Sequence, residues 1–183
     1  MTERLRDFRA SPVGPPPEAA SGPAAFKHKA LSIACGVTAA AAVLTALMVF
    51  VFGISRVQGN SMAPAYRNGD IVWFVRSGNH LHRGTVVAVG MPSGDRYIKR
   101  IAAVPGDTVD IRDGRLYVNG AAVKESYARG RTEKNPNGLM IYPYTLPEGK
   151  YFVLGDNRRH SADSRTFGPV SAAQIQGKIL GKE

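Results

Sequence analysis

The sequence lacks several features that identify common classes of protein. It has a single cysteine, Cys35, so no intramolecular disulfide can form and the redox compartment cannot be inferred from cysteine. We find no internal repeat. Although the formal net charge is +10, there is no long run of lysine and arginine and no nucleic-acid-binding motif, so we expect no nucleic acid partner. His80 and His82 alternate, but no third or fourth ligand is evident, and we expect no metal and no cofactor.

The sequence does contain one long apolar stretch, Ala30 to Ile54, with 25 residues and no charge. As a helix it would be ~37 Å long at about 1.5 Å per residue, enough to cross a hydrocarbon core roughly 30 Å thick. A secretory signal has a shorter apolar run, followed by a small-residue cleavage site. Here no Ala-x-Ala pattern follows the stretch. The sequence therefore favours an uncleaved transmembrane helix over 30–54.

The flanking segments predict how this helix is oriented. Residues 1–29 are rich in proline and read as a disordered tail, whose basic residues favour the cytoplasmic side. Residues 55–183 form a long domain, which translocates largely regardless of its charge, so we expect it outside the cytoplasm. Its basic surface can contact anionic lipid headgroups, at ~1 kcal/mol per well-placed cation. Ser61 follows Ile54 by only seven residues, at most ~25 Å, so its chemistry is expected at the membrane.

Short β-rich runs between turn signals fill the domain after the helix. Asp113-Gly114 and Asn119-Gly120 each separate two such runs, which is a hairpin signal because both positions tolerate positive φ. We therefore predict a mainly β fold of short, twisted, antiparallel strands in a barrel or sandwich. The predicted strands are 71–76, 85–90, 97–104, 108–112, 115–118 and 151–154. Residues 129–138 read as an exposed loop, and only 171–176 could be helical.

Ser61 could be activated in two ways. A Ser-His-Asp triad could combine it with His160 and Asp163, and residues 59–63 superficially resemble the Gly-x-Ser-x-Gly motif. That motif belongs to a strand–turn–helix in an α/β sheet, and Pro64 with the surrounding β pattern argues against it.

The second way uses a lysine as the base. A lysine can accept the serine proton only when it is neutral, so its pKa must fall from ~10.4 toward 7 or 8 by desolvation. Lys99 would share one face of a strand with Tyr97, Ile101 and Ala103. Periodicity alone nevertheless favours a solvated lysine at this position.

Three blocks of the sequence resemble the bacterial type I signal peptidases, the Ser-Lys proteases that cut signal peptides from exported proteins. The first is Ser-Met-Ala-Pro at 61–64, just after the apolar stretch. The second is Tyr-Ile-Lys-Arg at 97–100, continuing to Pro-Gly-Asp at 105–107. The third, 155–165, matches the family pattern GDNR-x-x-S-x-D-S-R and is the most specific. The resemblance covers roughly residues 55–180.

The resemblance implies a role for each matching residue. Ser61 matches the nucleophile and Lys99 the general base, while Ser161 matches a hydroxyl that hydrogen-bonds and orients the lysine. Asp163 and Arg165 match a supporting ion pair. The positions implied to line shallow pockets for small substrate side chains are Met62, Tyr97 and Ile98.

Two positions depart from the family pattern. Gly59 stands where some members have a serine whose hydroxyl helps to hold the oxyanion, so the oxyanion hole would depend on backbone N–H groups, chiefly that of Ser61. Ala103 stands where a glycine is usual, which we expect to alter local packing more than catalysis.

The resemblance thus implies a single-pass serine endopeptidase of the bacterial cytoplasmic membrane, acting on the signal peptides of exported preproteins. Three alternatives remain. The chain could be a specialised relative that matures pilin in conjugative transfer, or a catalytically dead, membrane-anchored interaction module. A self-cleaving repressor-like protein also uses Ser-Lys chemistry, but the sequence has neither a DNA-binding region nor a scissile Ala-Gly or Cys-Gly linker.

Overall fold

The computed structural model describes residues 14, 23–76 and 81–182. Helix α1 runs from Pro23 to Val51, and proline is common at a first helical position because its missing N–H would be unpaired there. Within α1, Lys29–Val51 is long and apolar enough to cross a membrane, and it is exposed throughout. The prediction of a disordered tail over 1–29 is wrong for residues 23–29, which form the start of α1. Apart from Gly14, the rest of that tail lies outside the described residues.

The apolar stretch does not remain helical to Ile54 as the sequence predicted. The helix ends at Val51, and Phe52–Arg56 forms strand β1. Gly53 explains the change, because it pairs with Phe74 and lies directly against that ring. A Cβ at Gly53 would come 2.2 Å from the ring, so only glycine allows this close pairing. The last three residues of the stretch therefore belong to the sheet.

The chain divides into two compact units, Met1–Thr45 and Ala46–Glu183. The second unit contains eleven strands among the described residues, in two antiparallel sheets, and a short helix α2 at Ser164–Phe167. The seven-stranded sheet has the order β1-β2-β11-β3-β4-β9-β10, and the four-stranded sheet the order β7-β6-β5-β8. The strands after β1 are β2 (Ile71–Val75), β3 (Val86–Gly90), β4 (Arg96–Ala103), β5 (Thr108–Arg112), β6 (Arg115–Val118), β7 (Ala121–Ala122), β8 (Tyr144–Thr145), β9 (Lys150–Leu154), β10 (Val170–Ser171) and β11 (Ile175–Lys182).

The mainly β prediction is confirmed, and the two predicted hairpins form. Asp113 and Asn119 both have positive φ, 52° and 54°, and each is followed by a glycine that is also in the left-handed region. All six predicted strands form within one or two residues of their predicted limits. The strands that sequence patterns missed are β1, β7, β8, β10 and β11.

The possible helix at 171–176 is wrong. Residues 172–174 make one 3₁₀ turn, and β11 begins at Ile175. Strand β11 pairs with β2 on one side and β3 on the other, and register shifts occur near Ile175 and Ile179. Gly177 comes so close to β2 that a Cβ would lie 2.3 Å from the carbonyl oxygen of Val75. Long-range pairing therefore overrides the local helical preference.

Strand β4 is the element around which the site is built. Residues 96–100 of β4 pair with β3, whereas β9 pairs only with the second half of the strand, from Arg100 onward. Among the described residues, no strand pairs with the opposite edge of residues 96–99. Strand β1 is an edge strand of the same sheet and also has one open side. Beneath these strands lies an apolar cluster that includes Met62, Phe74 and Ile98.

Candidate active site

Ser61 lies in a tight turn after β1. Asn157, which is distant in the sequence, holds this turn by two hydrogen bonds. The backbone N–H of Asn157 donates to the carbonyl oxygen of Ser61 at 2.9 Å. Its side-chain amide donates to the carbonyl oxygen of Asn60 at 3.1 Å. Gly155 packs against the same carbonyl of Ser61, where a Cβ would approach to 2.6 Å. The 155–165 block thus holds the serine backbone directly.

Lys99 is the side chain that reaches Ser61. It lies on β4 opposite Val87 and is only 3% exposed. Its Nζ donates a hydrogen bond to Ser61 Oγ at 2.8 Å and lies 5.2 Å from the centre of the Tyr97 ring. Periodicity alone favoured a solvated lysine, and that interpretation is wrong. Once the amine loses a proton, the same contact lets the serine hydroxyl donate to its lone pair.

The surroundings of Lys99 favour the neutral amine. Burial lowers the pKa of Lys99 from 10.5 to about 8, because a buried ammonium group loses its hydration. Asp163 opposes this effect by raising the pKa, Arg165 lowers it, and Asp156 raises it. A pKa near 8 leaves a useful fraction of the amine unprotonated at physiological pH, which a general base requires.

Asp163 and Arg165 form the ion pair that the resemblance implied. Arg165 donates from two nitrogens to the two carboxylate oxygens of Asp163, at 2.8 and 2.9 Å, and both side chains are buried. Asp163 also accepts from the backbone N–H of Gly155 at 3.0 Å. Arg165 also donates to the carbonyl oxygen of Arg158 at 2.7 Å. The pair therefore stabilises the block that holds Ser61. Its two charges shift the pKa of Lys99 in opposite directions.

Ser161 does not make the hydrogen bond expected of it. Its Oγ is buried and has no hydrogen-bond partner among the described residues, so the predicted bond to Lys99 is absent. The hydroxyl is instead directed at Gly155, where an added Cβ would lie 2.2 Å from Oγ. The Nζ of Lys99 donates to Ser61. Orientation of the lysine by Ser161 stays a prediction.

Gly59 does not have the conformation of an ordinary residue. Its φ is +77°, a region that residues with a side chain rarely adopt. Its N–H donates to the side-chain oxygen of Asn68 at 3.0 Å and is thus occupied. The N–H of Ser61, by contrast, has no acceptor within the described part of the chain. The Ser61 N–H is therefore free to donate to a ligand, and its part in an oxyanion hole stays a prediction.

A groove of about 510 Å³ opens beside Ser61 and Lys99. It is bounded on one side by β1 and the turn of Ser61, and on the other by residues 94–99. Met62, Tyr97 and Ile98 all line it, so the three predicted substrate-binding residues lie together. Met62 is 1% exposed and Ile98 is 7% exposed, so they form an apolar floor rather than projecting walls.

The described residues form neither a Ser-His-Asp triad nor a metal site. His160 is exposed, and its ring makes no hydrogen bond to Ser61 or Asp163, whose carboxylate is occupied by Arg165 and Gly155. No group of three or more possible metal ligands occurs among the described residues. His82 is exposed, and its Nδ1 lies within hydrogen-bonding distance of the carbonyl oxygen of Arg83 and the hydroxyl of Thr85. His80 lies outside the described residues.

Sequence reasoning missed Glu125, which supports the site from a distance through Arg158 of the 155–165 block. Arg158 is buried and donates to Glu125 through two nitrogens at 2.7 and 2.8 Å, while its Nε donates to the carbonyl oxygen of Gly155. The predicted exposed loop 129–138 is partly a structural strap, since Arg129 forms a bridge with Asn157 and Thr132 is buried. No local pattern marks Glu125, because its partner lies 33 positions away.

The chain is similar to proteins of one family. The profile described as "Signal peptidase, peptidase S26" matches residues 30–181. Signal peptidase I of Bacillus licheniformis is 37% identical over 148 residues, 74% of this chain and 80% of that protein. Signal peptidase I T of Bacillus subtilis is also 37% identical, over 74% of this chain and 77% of that protein. A crystal structure of a signal peptidase I from Enterococcus faecalis is 37% identical and covers 54% of this chain and 96% of that one, with a TM-score of 0.45.

Proposed function

This chain belongs to the signal peptidase family, peptidase S26, and is a serine endopeptidase; on that premise we propose that it removes N-terminal signal peptides from exported preproteins by a Ser61–Lys99 dyad. One observation carries the proposal: a buried lysine amine lies 2.8 Å from the serine hydroxyl. The lowered pKa of about 8 supports the same assignment, since the amine can be neutral at working pH.

The reaction follows from this geometry. Neutral Lys99 takes the proton of Ser61 as Oγ attacks the scissile carbonyl carbon, and the developing oxyanion accepts a hydrogen bond from the Ser61 N–H. The ammonium of Lys99 then gives its proton to the leaving amine, and an acyl-enzyme remains on Oγ. A water molecule, deprotonated by the again neutral lysine, attacks the ester and releases the signal peptide.

The open edges of β1 and β4 favour an extended substrate. A peptide lying in the groove can pair its backbone with the unpaired edge of residues 96–99, as in strand addition. Side chains of a strand alternate, so the first and third residues before the cut point to the same side. The floor formed by Met62, Tyr97 and Ile98 is shallow and therefore favours small residues at these two positions.

We also propose that the enzyme is anchored in the bacterial cytoplasmic membrane, with its N-terminus inside and residues 55–183 on the extracytoplasmic face. The 23 residues of Lys29–Val51 reach ~34 Å as a helix, enough to span a bilayer. An exposed apolar strip on β1 and β2 supports lipid contact by the catalytic domain: Ile54 is 56%, Ile71 45% and Trp73 39% exposed. The basic surface favours anionic headgroups.

The experiment that tests the function uses the full chain in detergent and a set of preproteins, with the cut site mapped by mass spectrometry. We expect the wild type to cut after small residues, and Ser61→Ala and Lys99→Arg to be inactive. Arginine keeps the charge but cannot deprotonate in proteins. Lys124→Arg, at an exposed lysine, is the matched control and should retain full activity.

Each outcome has a distinct meaning. Substantial cleavage by Lys99→Arg would refute the dyad, and uncut preproteins with no covalent serine adduct in the wild type would favour a catalytically dead module. Cleavage of only a few of the preproteins would favour a specialised peptidase over a general one.

A further inference from the structure

The end of the groove away from Ser61 is polar and is built around Arg96. Arg96 is the first residue of β4, and together with Gln176 of β11 it lines the same groove as the dyad. Gln176 lies where β11 shifts register between Ile175 and Gly177. Such bulges re-aim a side chain and are common beside active sites. Here the bulge brings Gln176 to the guanidinium of Arg96.

The structure holds Arg96 in place on two sides. Its Nε donates to the Oε1 of Gln176, and its guanidinium carbon lies 5.4 Å from the centre of the Phe74 ring. Gln176 in turn packs over Gly90, where a Cβ would come 2.5 Å from its amide nitrogen. The absence of a side chain at Gly90 thus leaves the space that the glutamine amide occupies here. The stem and Nε of Arg96 are therefore fixed by contacts within the protein.

The outer part of the guanidinium remains available. In the described structure, the two terminal nitrogens of Arg96 have no hydrogen-bond acceptor. A planar guanidinium with free donors binds carboxylate and carbonyl oxygens. Arg56 lines the same groove, so two arginines face it. Asp95 is the nearby opposing charge, and its carboxylate accepts a hydrogen bond from Ser93 in the hairpin turn.

The position of Arg96 along β4 fixes which substrate residue it meets, and this step rests on the proposed function. Lys99 marks the scissile bond, and we place the substrate residues before the cut over Ile98 and Tyr97, which line the groove and lie between Lys99 and Arg96 in the sequence. The signal peptide therefore runs along β4 in the same direction, toward Lys99. Arg96 precedes Lys99 by three residues, ~10 Å along a strand at about 3.3 Å per residue. It faces the fourth or fifth substrate residue before the cut.

We propose that Arg96, seated by Gln176, is a specificity-determining residue that selects a hydrogen-bond acceptor or an acidic side chain at the fourth or fifth position before the cut, and rejects lysine and arginine there. The free guanidinium donors and the positive charge at this end of the groove both favour an acceptor or an acidic side chain. The subsite adds to the small-residue preference at the first and third positions, which is set by a different part of the groove.

The test measures kcat/KM for peptides that differ only at the fourth or fifth position, with glutamate, glutamine or lysine. For charges ~6 Å apart with water-like screening, Coulomb's law gives about threefold per unit charge, and thus about tenfold between glutamate and lysine. With the full-length wild type in detergent, we expect glutamate to be best and lysine worst at one of these positions. The preference should shrink in high salt.

Three variants separate Arg96 from its neighbours. Arg96→Gln should flatten the charge preference and Arg96→Glu should reverse it, as judged from the ratio of kcat/KM between the glutamate and lysine peptides. Asp95→Asn should increase the preference for glutamate. Arg112→Gln, at an exposed arginine of the other sheet, is the matched control and should leave the preference unchanged.

The outcomes distinguish this inference from the proposed function. If the peptides are cut but Arg96→Gln and Arg96→Glu keep the wild-type preference, or if only Asp95→Asn changes it, Arg96 is not the selecting residue. If no peptide is cut by an enzyme that also fails on preproteins, the proposed function itself has failed.

Discussion

Replacing Lys99 with methionine should make the protein inactive but more stable at neutral pH. The folded protein buries this amine at 3% exposure and lowers its pKa from 10.5 to about 8. The unfolded chain therefore binds more protons than the folded one between these two pH values, so stability rises with pH across this window. Below pH 8 the full cost of the buried lysine is present. Methionine has a similar volume and carries no charge.

The size of the effect follows from the lowered pKa of Lys99. A fall from 10.5 to about 8 corresponds to about 3 kcal/mol, because a tenfold change in an acid dissociation constant is worth about 1.4 kcal/mol. We expect Lys99→Met to raise the free energy of unfolding by up to about 3 kcal/mol at pH 7. At pH 9.5 most of the unfolded-state lysine is still charged but the folded-state lysine is neutral, and linkage reduces the gap to about 1.5 kcal/mol.

The assay is urea unfolding of the full chain in detergent, followed by the fluorescence of Trp73, the one tryptophan in the sequence. Burial raises the pKa of Tyr127 to about 12, so that residue also makes stability fall above pH 10, but it does so equally in both proteins. Ser61→Ala is the control for loss of activity without removal of the amine. A variant no more stable than the wild type at pH 7, or a gap that does not change with pH, would refute a desolvated Lys99.

Two further predictions concern the residues around the dyad. The kcat/KM of the wild type should rise through an apparent pKa near 8, and Arg165→Gln should move this rise to higher pH, because Asp163 then raises the pKa of Lys99 without the opposing charge of Arg165. If the pKa of the base rises by one unit, activity at pH 7 falls about tenfold. A folded Arg165→Gln variant with an unchanged pH profile would contradict this prediction. Gly59→Ala should lower the free energy of unfolding by about 1–2 kcal/mol in the same urea assay, because the φ of Gly59 is +77°. It should leave the cleavage activity unchanged, because nothing lies within 4 Å of an added Cβ. Gly155→Ala should instead abolish cleavage, because its Cβ would displace the carbonyl of Ser61; if the two alanine variants behaved alike, this distinction would be wrong.

Local patterns predicted the parts of the fold that local forces decide. The hairpin at Asp113-Gly114 forms because both residues accept positive φ, and the flanking strands carry alternating side chains that fill the core. Strand β11 could not be predicted in this way. Its residues 175–182 contain two glycines and no clear alternation, and the strand exists because two distant strands accept it on either side. The same limit hid β1 within an apolar stretch.

The same distinction between local patterns and contacts with distant residues applies to the candidate site. Ser61, Lys99, Asp163 and Arg165 were found through family motifs, because a shared chemistry requires particular residue types in a fixed order. Periodicity alone gave the wrong environment for Lys99, since it describes one strand and not the turn of Ser61 that covers it. Gln176 was missed because its proposed role depends on a bulge and on the space beside Gly90.

The buried ion pair has a consequence for the proposed mechanism that neither Asp163 nor Arg165 has alone. Desolvation is the largest influence on the pKa of Lys99, and it favours the neutral amine. An isolated buried carboxylate at Asp163 would restore the ammonium and remove the base. Arg165 bonds to both oxygens of that carboxylate and opposes its effect on Lys99. The carboxylate can therefore bind the Gly155 N–H and hold the turn beneath Ser61 while the amine nearby stays available as a base.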